Sequence, residues 1–292
     1  MSARGDVHEL RACAHAPWPL RRDGGFFDVR DGARRGRTTR HGEVFWEDPT
    51  YCDDRVLLAL PRDFDARRPA TLVLYLHGNR ALLERDVLAR QRVLAQVRAA
   101  NINAALIAPQ FARDAPDSSA GRFAVRGVCR ALLDESAQGL RELCARRDGR
   151  APPAATFDQA PLILVAYSGG YCPAAAALAV GRIRARVRGV VLLDALYDHA
   201  PVFAEWFACQ RRRAFLLSAY THGTRGGNLR LRALLGAAGL DYTLGLRPAL
   251  GAGDACLVPL DGAVDHAEVV TRAWVHDPLT DVLRRAGPAR RT

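Results

Sequence analysis

The sequence contains no lysine and only one methionine, so arginine supplies all of its formal positive side-chain charge. The 42 basic and 31 acidic residues give a formal net charge of +11 at pH 7. Such a charge would ordinarily indicate a nucleic acid or an acidic membrane surface as partner. The arginines, however, are spread through the whole chain together with many alanines, glycines and prolines. We therefore interpret the charge as a composition bias on solvated helix faces and expect no nucleic-acid partner.

Long apolar runs and paired cysteine motifs are also missing. No stretch approaches the roughly 20 apolar residues of a membrane span, and residues 1–20 lack the apolar core of a signal peptide. The seven cysteines are odd in number and include no C-x-x-C pair, which argues against a disulfide framework and a thiolate metal site. We expect a cytoplasmic protein without a membrane span, metal or organic cofactor. An export signal is expected only if the true start lies upstream of Met1.

The length and hydrophobic content favour one large domain. With 292 residues, 49% of them hydrophobic, the chain can bury a substantial core. Residues 1–42 have few periodic apolar positions and are predicted to be a loosely structured lead-in to a single domain over 43–292. Apolar strands then alternate with helical patterns, which predicts an α/β fold with a mostly parallel sheet flanked by helices. The predicted strands cover residues 55–61, 71–76, 103–109, 187–193, 214–219 and 255–260, with one more that begins at residue 162. The predicted helices cover residues 81–100, 123–147, 173–180 and 228–238, a short segment around Trp206, and a terminal stretch from His266 or Glu268 towards Arg285.

A serine follows the strand that begins at Leu162. The strand runs into Ala166-Tyr167-Ser168-Gly169-Gly170, a small-x-Ser-x-small pattern. Small residues on either side of a serine allow the sharp strand-to-helix turn of a nucleophile elbow, which lifts the hydroxyl towards solvent. The alternative is an ordinary strand-to-helix loop that a serine caps.

A second motif strengthens the first interpretation. The apolar strand over 71–76 ends in His77-Gly78-Asn79, upstream of the serine. In this order the two motifs resemble the α/β-hydrolase superfamily of esterase-like serine hydrolases, from about Val56 to about Leu283. The resemblance implies a nucleophilic Ser168 and an oxyanion hole formed by the backbone amides of Asn79 and Gly169.

A serine hydroxyl needs a base, and the resemblance places a histidine in the loop after the last strand. His266 lies there, although it could instead be a helix-start residue capped by Asp265. His222 and His199 are the reserve candidates. The other histidines belong to the oxyanion segment, the lead-in or the terminal helix: His77, His8, His15, His41 and His276.

The acid that would orient this histidine departs from the commonest pattern of the superfamily. Its usual position follows the strand over 214–219, but the loop 220–225 contains no carboxylate. Some members take the acid from the preceding strand, where Asp194 follows four apolar residues. A carboxylate buried there would need a partner, and a histidine would provide one. Asp198 is the runner-up, and helix capping is the alternative role for both residues.

The sequence thus predicts a serine hydrolase that cleaves an ester or an amide of a small acyl substrate through an acyl-enzyme. Only about twenty residues separate Asp194 from Phe215, so the resemblance implies a small cap or none. The polar stretch 114–119 is interpreted as a loop and helix cap, with substrate contact at the edge of the sheet as the alternative. Tyr167 and Tyr171 either line the pocket or pack. The competing hypothesis is a non-catalytic binding or scaffold protein with the same fold. The oligomeric state is left open.

Overall fold

The computed structural model describes residues 5–39 and 42–287. The strands are β1 Val7–Ala12, β2 Val29–Asp31, β3 Arg34–Thr38, β4 Val44–Trp46, β5 Arg55–Leu60, β6 Thr71–Leu76, β7 Ala104–Pro109, β8 Leu162–Tyr167, β9 Val187–Leu193, β10 Phe215–Tyr220, β11 Thr243–Leu244 and β12 Ala255–Pro259. The α-helices are α1 Glu47–Thr50, α2 Val93–Ala99, α3 Val128–Asp148, α4 Ala155–Asp158, α5 Tyr171–Ala179, α6 Ala200–Gln210, α7 Arg225–Ala237 and α8 Pro278–Ala286. A π-helical segment covers Leu83–Arg90, and short 3-10 turns cover Gly121–Ala124, Ser168–Gly170, His222–Thr224 and His266–Glu268.

Nine strands form one sheet in the order β1-β5-β7-β6-β8-β9-β10-β12-β11. In this sheet β5 is antiparallel to both of its neighbours, β1 and β7, and the pairs from β7 to β11 are all parallel. The predicted α/β fold with a mostly parallel sheet is confirmed. Because parallel strands end at the same edge, the residues that follow β6, β8, β9, β10 and β12 lie close together.

The central strands are apolar because both faces of the sheet are covered. Every residue of β8 is buried, and so is every residue of β7. One core cluster packs α3, α5, α6 and α7 on one face. A second cluster packs α2 and α8 on the other. In the ranges that the structure describes, no helix is long and apolar enough to cross a membrane.

The prediction of one continuous helix over 81–100 is wrong. The structure has a π-helical segment over Leu83–Arg90, after which Arg92 adopts a left-handed conformation with φ 51° before α2 begins. Asp86 accounts for part of this irregularity, since its carboxylate accepts hydrogen bonds from the Leu82 backbone and from the side chain of Arg90. The terminal helix likewise begins only at Pro278, and His266 lies in a separate 3-10 turn.

The loosely structured lead-in predicted for residues 1–42 is wrong where the structure describes it. Strand β1 pairs with β5 along its whole length, and β2 and β3 join β4 in a separate three-stranded sheet. The aromatic side chains of Trp18 and Phe27 are buried against Tyr51. Long-range aromatic contacts therefore order a segment with little local apolar periodicity. His41 lies outside the described residues, and the single-domain boundary at residue 43 stays a prediction.

Candidate active site

Ser168 lies at a sharp turn between β8 and α5. Its φ is 50°, in the left-handed region that residues with a Cβ seldom adopt. The turn brings α5 close to the neighbouring strand, because a Cβ on Gly170 would lie 2.2 Å from the carbonyl oxygen of Leu76. Tyr167 before the serine is buried, whereas Ser168 itself is partly exposed. The strand-to-helix geometry expected of a nucleophile elbow is therefore present.

A chain of two hydrogen bonds joins Ser168, His266 and Asp194, which come from three different strand ends. The distance between His266 Nε2 and Ser168 Oγ is 2.8 Å, and that between His266 Nδ1 and Asp194 Oδ2 is 2.6 Å. A carboxylate only accepts, so Nδ1 carries the proton and donates to Asp194. Nε2 is then free to accept the proton of the serine hydroxyl. The Asp194 carboxylate thus sets the tautomer of His266 that a base for Ser168 requires.

Asp194 is fully buried, and its backbone is left-handed with φ 45°. The Thr221 amide donates to its Oδ1 at 2.9 Å, the Thr221 hydroxyl donates to its Oδ2 at 2.7 Å, and the Thr224 hydroxyl also donates to Oδ1. Burial alone would raise the pKa of this carboxyl. The hydrogen bonds from His266, Thr224 and Thr221 outweigh burial and lower the pKa to about 2. Asp194 is therefore an anion at neutral pH.

Thr221 and Thr224 are functional candidates that the sequence analysis missed. The loop 220–225 contains no carboxylate, but its two threonine hydroxyl groups can donate to one. The available signal was their position after β10, because β10 is the parallel neighbour of β9, at the end of which Asp194 lies.

The structure does not bring the other candidates to Ser168. The exposed Asp198 accepts a hydrogen bond from the backbone of His199 at 2.6 Å, which is a local contact at the start of α6. His222 begins a 3-10 turn, and His276 forms an isolated bridge with Arg272. Asp265 caps the turn at His266 by accepting from the Ala267 amide, so the helix-start interpretation of His266 describes its backbone.

His77 orients the peptide that carries the Asn79 amide. The Phe111 amide donates to His77 Nε2 at 2.9 Å, so Nδ1 carries the proton and donates to the Gly78 carbonyl at 2.8 Å. In a trans peptide the carbonyl and the following N–H point in opposite directions. Holding the Gly78 carbonyl therefore fixes the direction of the Asn79 N–H. Burial lowers the pKa of His77 to about 4, so the ring is neutral at pH 7.

Aromatic side chains surround His266. The Tyr167 ring is stacked on it with centroids 5.3 Å apart, and the Tyr167 hydroxyl donates to the His266 carbonyl at 3.1 Å. Tyr197 contacts His266 edge-on at 6.2 Å and is 47% exposed. Tyr171 lies beside Tyr197, with centroids 5.8 Å apart. Tyr167 and Tyr197 therefore both pack against the histidine, and Tyr171 packs in turn against Tyr197.

The segment between β9 and β10 contains α6 as its one α-helix among the described residues. The side chain of His266 remains 37% exposed, which agrees with a small cap. An open cleft of about 770 Å³ lies elsewhere, at the opposite edge of the sheet, between residues 64–70 and 148–161. Neither Ser168 nor His266 lines it. The candidate active site is therefore located by the hydrogen-bonded residues Ser168, His266 and Asp194, and not by the size of this cleft.

No protein-family model and no curated protein matches this sequence. Solved structures do match it. A protein described as FAE is 11% identical, with 98% of this chain and 90% of that one covered, at a TM-score of 0.52. A mutant feruloyl esterase module from Clostridium thermocellum, complexed with sinapinate, is 11% identical, with coverage of 100% and 99%, at a TM-score of 0.49. An S-formylglutathione hydrolase from Agrobacterium tumefaciens is 12% identical, with coverage of 89% and 98%, at a TM-score of 0.42.

At 11% identity, the similarity to the FAE structure, with its TM-score of 0.52, bears on architecture alone. Together with the strand order, it gives this protein the α/β-hydrolase fold, as the sequence predicted.

Proposed function

We propose that the protein is a serine hydrolase that cleaves carboxylic esters through an acyl-enzyme. The observation that carries this proposal is the hydrogen-bonded chain from Ser168 through His266 to the buried Asp194. A serine paired with a histidine whose tautomer is fixed by a carboxylate is the arrangement that activates a hydroxyl as a nucleophile.

In the acylation step Ser168 Oγ attacks the carbonyl carbon, and its proton passes to His266 Nε2. The new C–O bond forms while the carbonyl π electrons move to oxygen. Asp194 stabilises the resulting imidazolium through Nδ1, and because its pKa is about 2, it remains ionised as the charge develops. The tetrahedral intermediate then collapses, and His266 gives its proton to the departing alcohol.

The negative oxygen of that intermediate would be held by the amides of Asn79 and Gly169. His77 fixes the peptide that carries the Asn79 amide through the Gly78 carbonyl. The Gly169 amide lies in the turn at the start of α5, where the helix dipole favours negative charge. Each such donor contributes roughly 3 kcal/mol to the transition state. Water then attacks the acyl-enzyme with His266 as its base and releases the acid.

We favour an ester over an amide because ester cleavage is the commonest chemistry of this scaffold, an argument from fold analogy. The proposed substrate is a small acyl ester. The proposal requires no metal or organic cofactor at the site, since His266 carries every proton between Ser168, the leaving alcohol and water, while Asp194 stabilises its imidazolium. The absence of a nucleic-acid partner and the cytoplasmic location remain expectations from the sequence.

A fluorophosphonate probe tests the proposal, because it reacts with activated serines and leaves a mass tag. The purified protein is labelled and the modified residue is identified by peptide mass spectrometry, with Ser168→Ala and His266→Ala as controls. We expect labelling at Ser168 in the wild type, none there in Ser168→Ala, and a strong loss in His266→Ala.

Turnover of 4-nitrophenyl acetate is then measured on the same three proteins. A folded wild type that is neither labelled nor active would contradict the proposal and favour the non-catalytic binding or scaffold protein. Labelling that survives in His266→Ala would reject His266 as the base.

A further inference from the structure

The loop that follows β7 holds the segment with the proposed oxyanion amide at two further points. The Arg80 amide donates to the Ala115 carbonyl at 2.9 Å, and the Ser118 hydroxyl donates to Asn79 Oδ1 at 3.0 Å. Both contacts join residues more than thirty positions apart in the chain. The loop, interpreted from the sequence as a polar loop and helix cap, therefore restrains Asn79 from outside the strand that precedes it.

The Asn79 side chain links this loop to the residue after the nucleophile. A Cβ built on Gly169 would lie 2.1 Å from Asn79 Oδ1 and 2.8 Å from Ser118 Oγ. Gly169 is thus in close contact with the amide side chain of Asn79 and with the hydroxyl that orients it. A displacement of Ser118 would change how Asn79 packs on Gly169, and so the distance between the two proposed oxyanion amides.

Ser118 is held in turn by its neighbour Asp117, whose side chain is only 10% exposed. Asp117 Oδ1 accepts from the Ser119 amide at 2.7 Å, which closes a tight turn around Ser118. Asp117 Oδ2 accepts from the Tyr51 hydroxyl at 2.8 Å and lies 3.7 Å from the guanidinium of Arg37. The carboxylate therefore ties the turn to residues of the N-terminal part of the chain.

Tyr51 is a rigid anchor for this carboxylate. Its side chain is fully buried, and its ring lies between those of Trp18, Phe26 and Phe27, at centroid distances of 4.9, 5.2 and 5.7 Å. Burial and the neighbouring Asp117 raise the pKa of the phenol. The hydroxyl therefore remains protonated and donates to Asp117 over the working pH range.

We propose that Tyr51, Asp117 and Ser118 are positioning residues for the oxyanion hole, acting through the side chain of Asn79. They touch none of the reacting atoms, so their effect would be on the alignment of the two amides. The inference rests on the proposed serine hydrolase function. It also assigns the aromatic cluster of the N-terminal segment a part in the reaction, in addition to its part in folding.

The experiment compares Tyr51→Phe, Ser118→Ala and the double variant with the wild type. Tyr75→Phe is the matched control, because it also deletes a buried phenol hydroxyl, which donates to Gln91 Oε1 at 2.7 Å in the second core cluster. The kcat and KM for 4-nitrophenyl acetate are measured together with the inhibition constant of phenylboronic acid. Addition of the serine oxygen to boron gives a tetrahedral adduct that reports on the oxyanion hole.

We expect kcat to fall about 10-fold in each single variant, which is less than the loss of a whole oxyanion donor. The boronic acid should bind more weakly by a similar factor, and KM should change less than about twofold. The kcat of the double variant should be no lower than that of the less active single variant, because the residues act in one chain of contacts. Tyr75→Phe should keep kcat within about twofold of the wild type.

Wild-type kcat in folded Ser118→Ala would overturn the inference, as would a rise in KM alone or an equal loss in Tyr75→Phe. If Tyr51→Phe does not fold, the partly exposed Ser118→Ala decides the question alone. Failure of the proposed function would give a different result. An inactive wild type that fluorophosphonate does not label would reject the serine hydrolase function itself.

Discussion

At the scale of single residues, Asp194 combines complete burial with a full negative charge. Four hydrogen bonds to its two oxygens, from His266, Thr221 and Thr224, compensate for the lost hydration. In Asp194→Asn the amide can donate to Nδ1 of His266 and so favour the tautomer whose Nε2 carries a proton. That nitrogen could no longer accept the proton of Ser168.

We expect Asp194→Asn to lower kcat for 4-nitrophenyl acetate by about 10⁴-fold, the effect known for this change in a serine–histidine–aspartate system. Steady-state kinetics on a variant that circular dichroism shows to be folded would check this. Asp198→Asn is the control, since the hydrogen bond that this carboxylate accepts within the described part of the chain is local, and it should keep activity within about twofold. Retention of more than a tenth of the wild-type kcat in Asp194→Asn would reject Asp194 as the orienting acid.

A second prediction at the scale of single residues concerns His77 and the pH dependence of folding stability. Its pKa is about 4 in the folded protein, against an ordinary value of 6.5. Between these values the unfolded chain binds a proton that the folded protein does not, so stability falls as pH decreases. The contribution of neutral His77 to the free energy of unfolding is fully present above about pH 6.5, and roughly 3 kcal/mol of it is lost by pH 4.

Urea unfolding of the wild type and His77→Gln at pH 7, 5.5 and 4.5 tests this assignment. Carboxylates titrate in both proteins, so the difference between the two curves isolates the histidine. The difference in unfolding free energy between the wild type and His77→Gln should become smaller as the pH falls. Parallel curves for the two proteins would mean that His77 is not held neutral by the fold.

At the scale of elements, the elbow depends on how closely α5 approaches β6. Gly170→Ala would place a Cβ 2.2 Å from the Leu76 carbonyl oxygen, a backbone atom that has little freedom to move. We expect a loss of stability of about 1–3 kcal/mol, as for other overpacked sites, together with reduced turnover. Chemical denaturation and kinetics measure the two effects.

Gly236→Ala is the matched control, because nothing lies within 4 Å of the Cβ that it would add in α7. It should stabilise the protein by about 0.5–1 kcal/mol through helix propensity. A Gly170→Ala variant as stable and active as the wild type would show that α5 can move away from the sheet.

The elements differ in how far the sequence could specify them. The central strands were predictable because their apolar runs are local and both faces of the sheet are buried. The break at Arg92 was not, because no glycine or proline marks it and Asp86 acts through its side-chain contacts. The partners of Asp194 were also missed, since Thr221 and Thr224 approach it only through the pairing of β9 with β10.

At the scale of the whole molecule, the N-terminal segment closes one edge of the sheet. Strand β1 covers β5, and its side chains form ion pairs with helix residues, as Arg11 does with Glu142 and Glu9 with Arg146. Sequence periodicity could not show this, because the segment is ordered by contacts with residues far along the chain.

Deleting residues 1–13 should therefore expose β5 as an unpaired edge, lower the melting temperature and promote self-association. Differential scanning calorimetry and light scattering would measure these effects. Arg146→Gln breaks the pair with Glu9 but keeps β1, and should change stability by less than about 1 kcal/mol. A monomeric deletion variant with the wild-type melting temperature would contradict this role of β1.

The left-handed backbone of Ser168 bears on how this protein would respond to laboratory evolution. A non-glycine residue in that conformation costs about 1–2 kcal/mol, so Ser168→Gly would relieve strain while removing the proposed nucleophile. A library screened only for survival at high temperature would accumulate glycine at this position. Any effort to make the protein heat-resistant would therefore have to score turnover in every round, or it would select a stable and inactive fold.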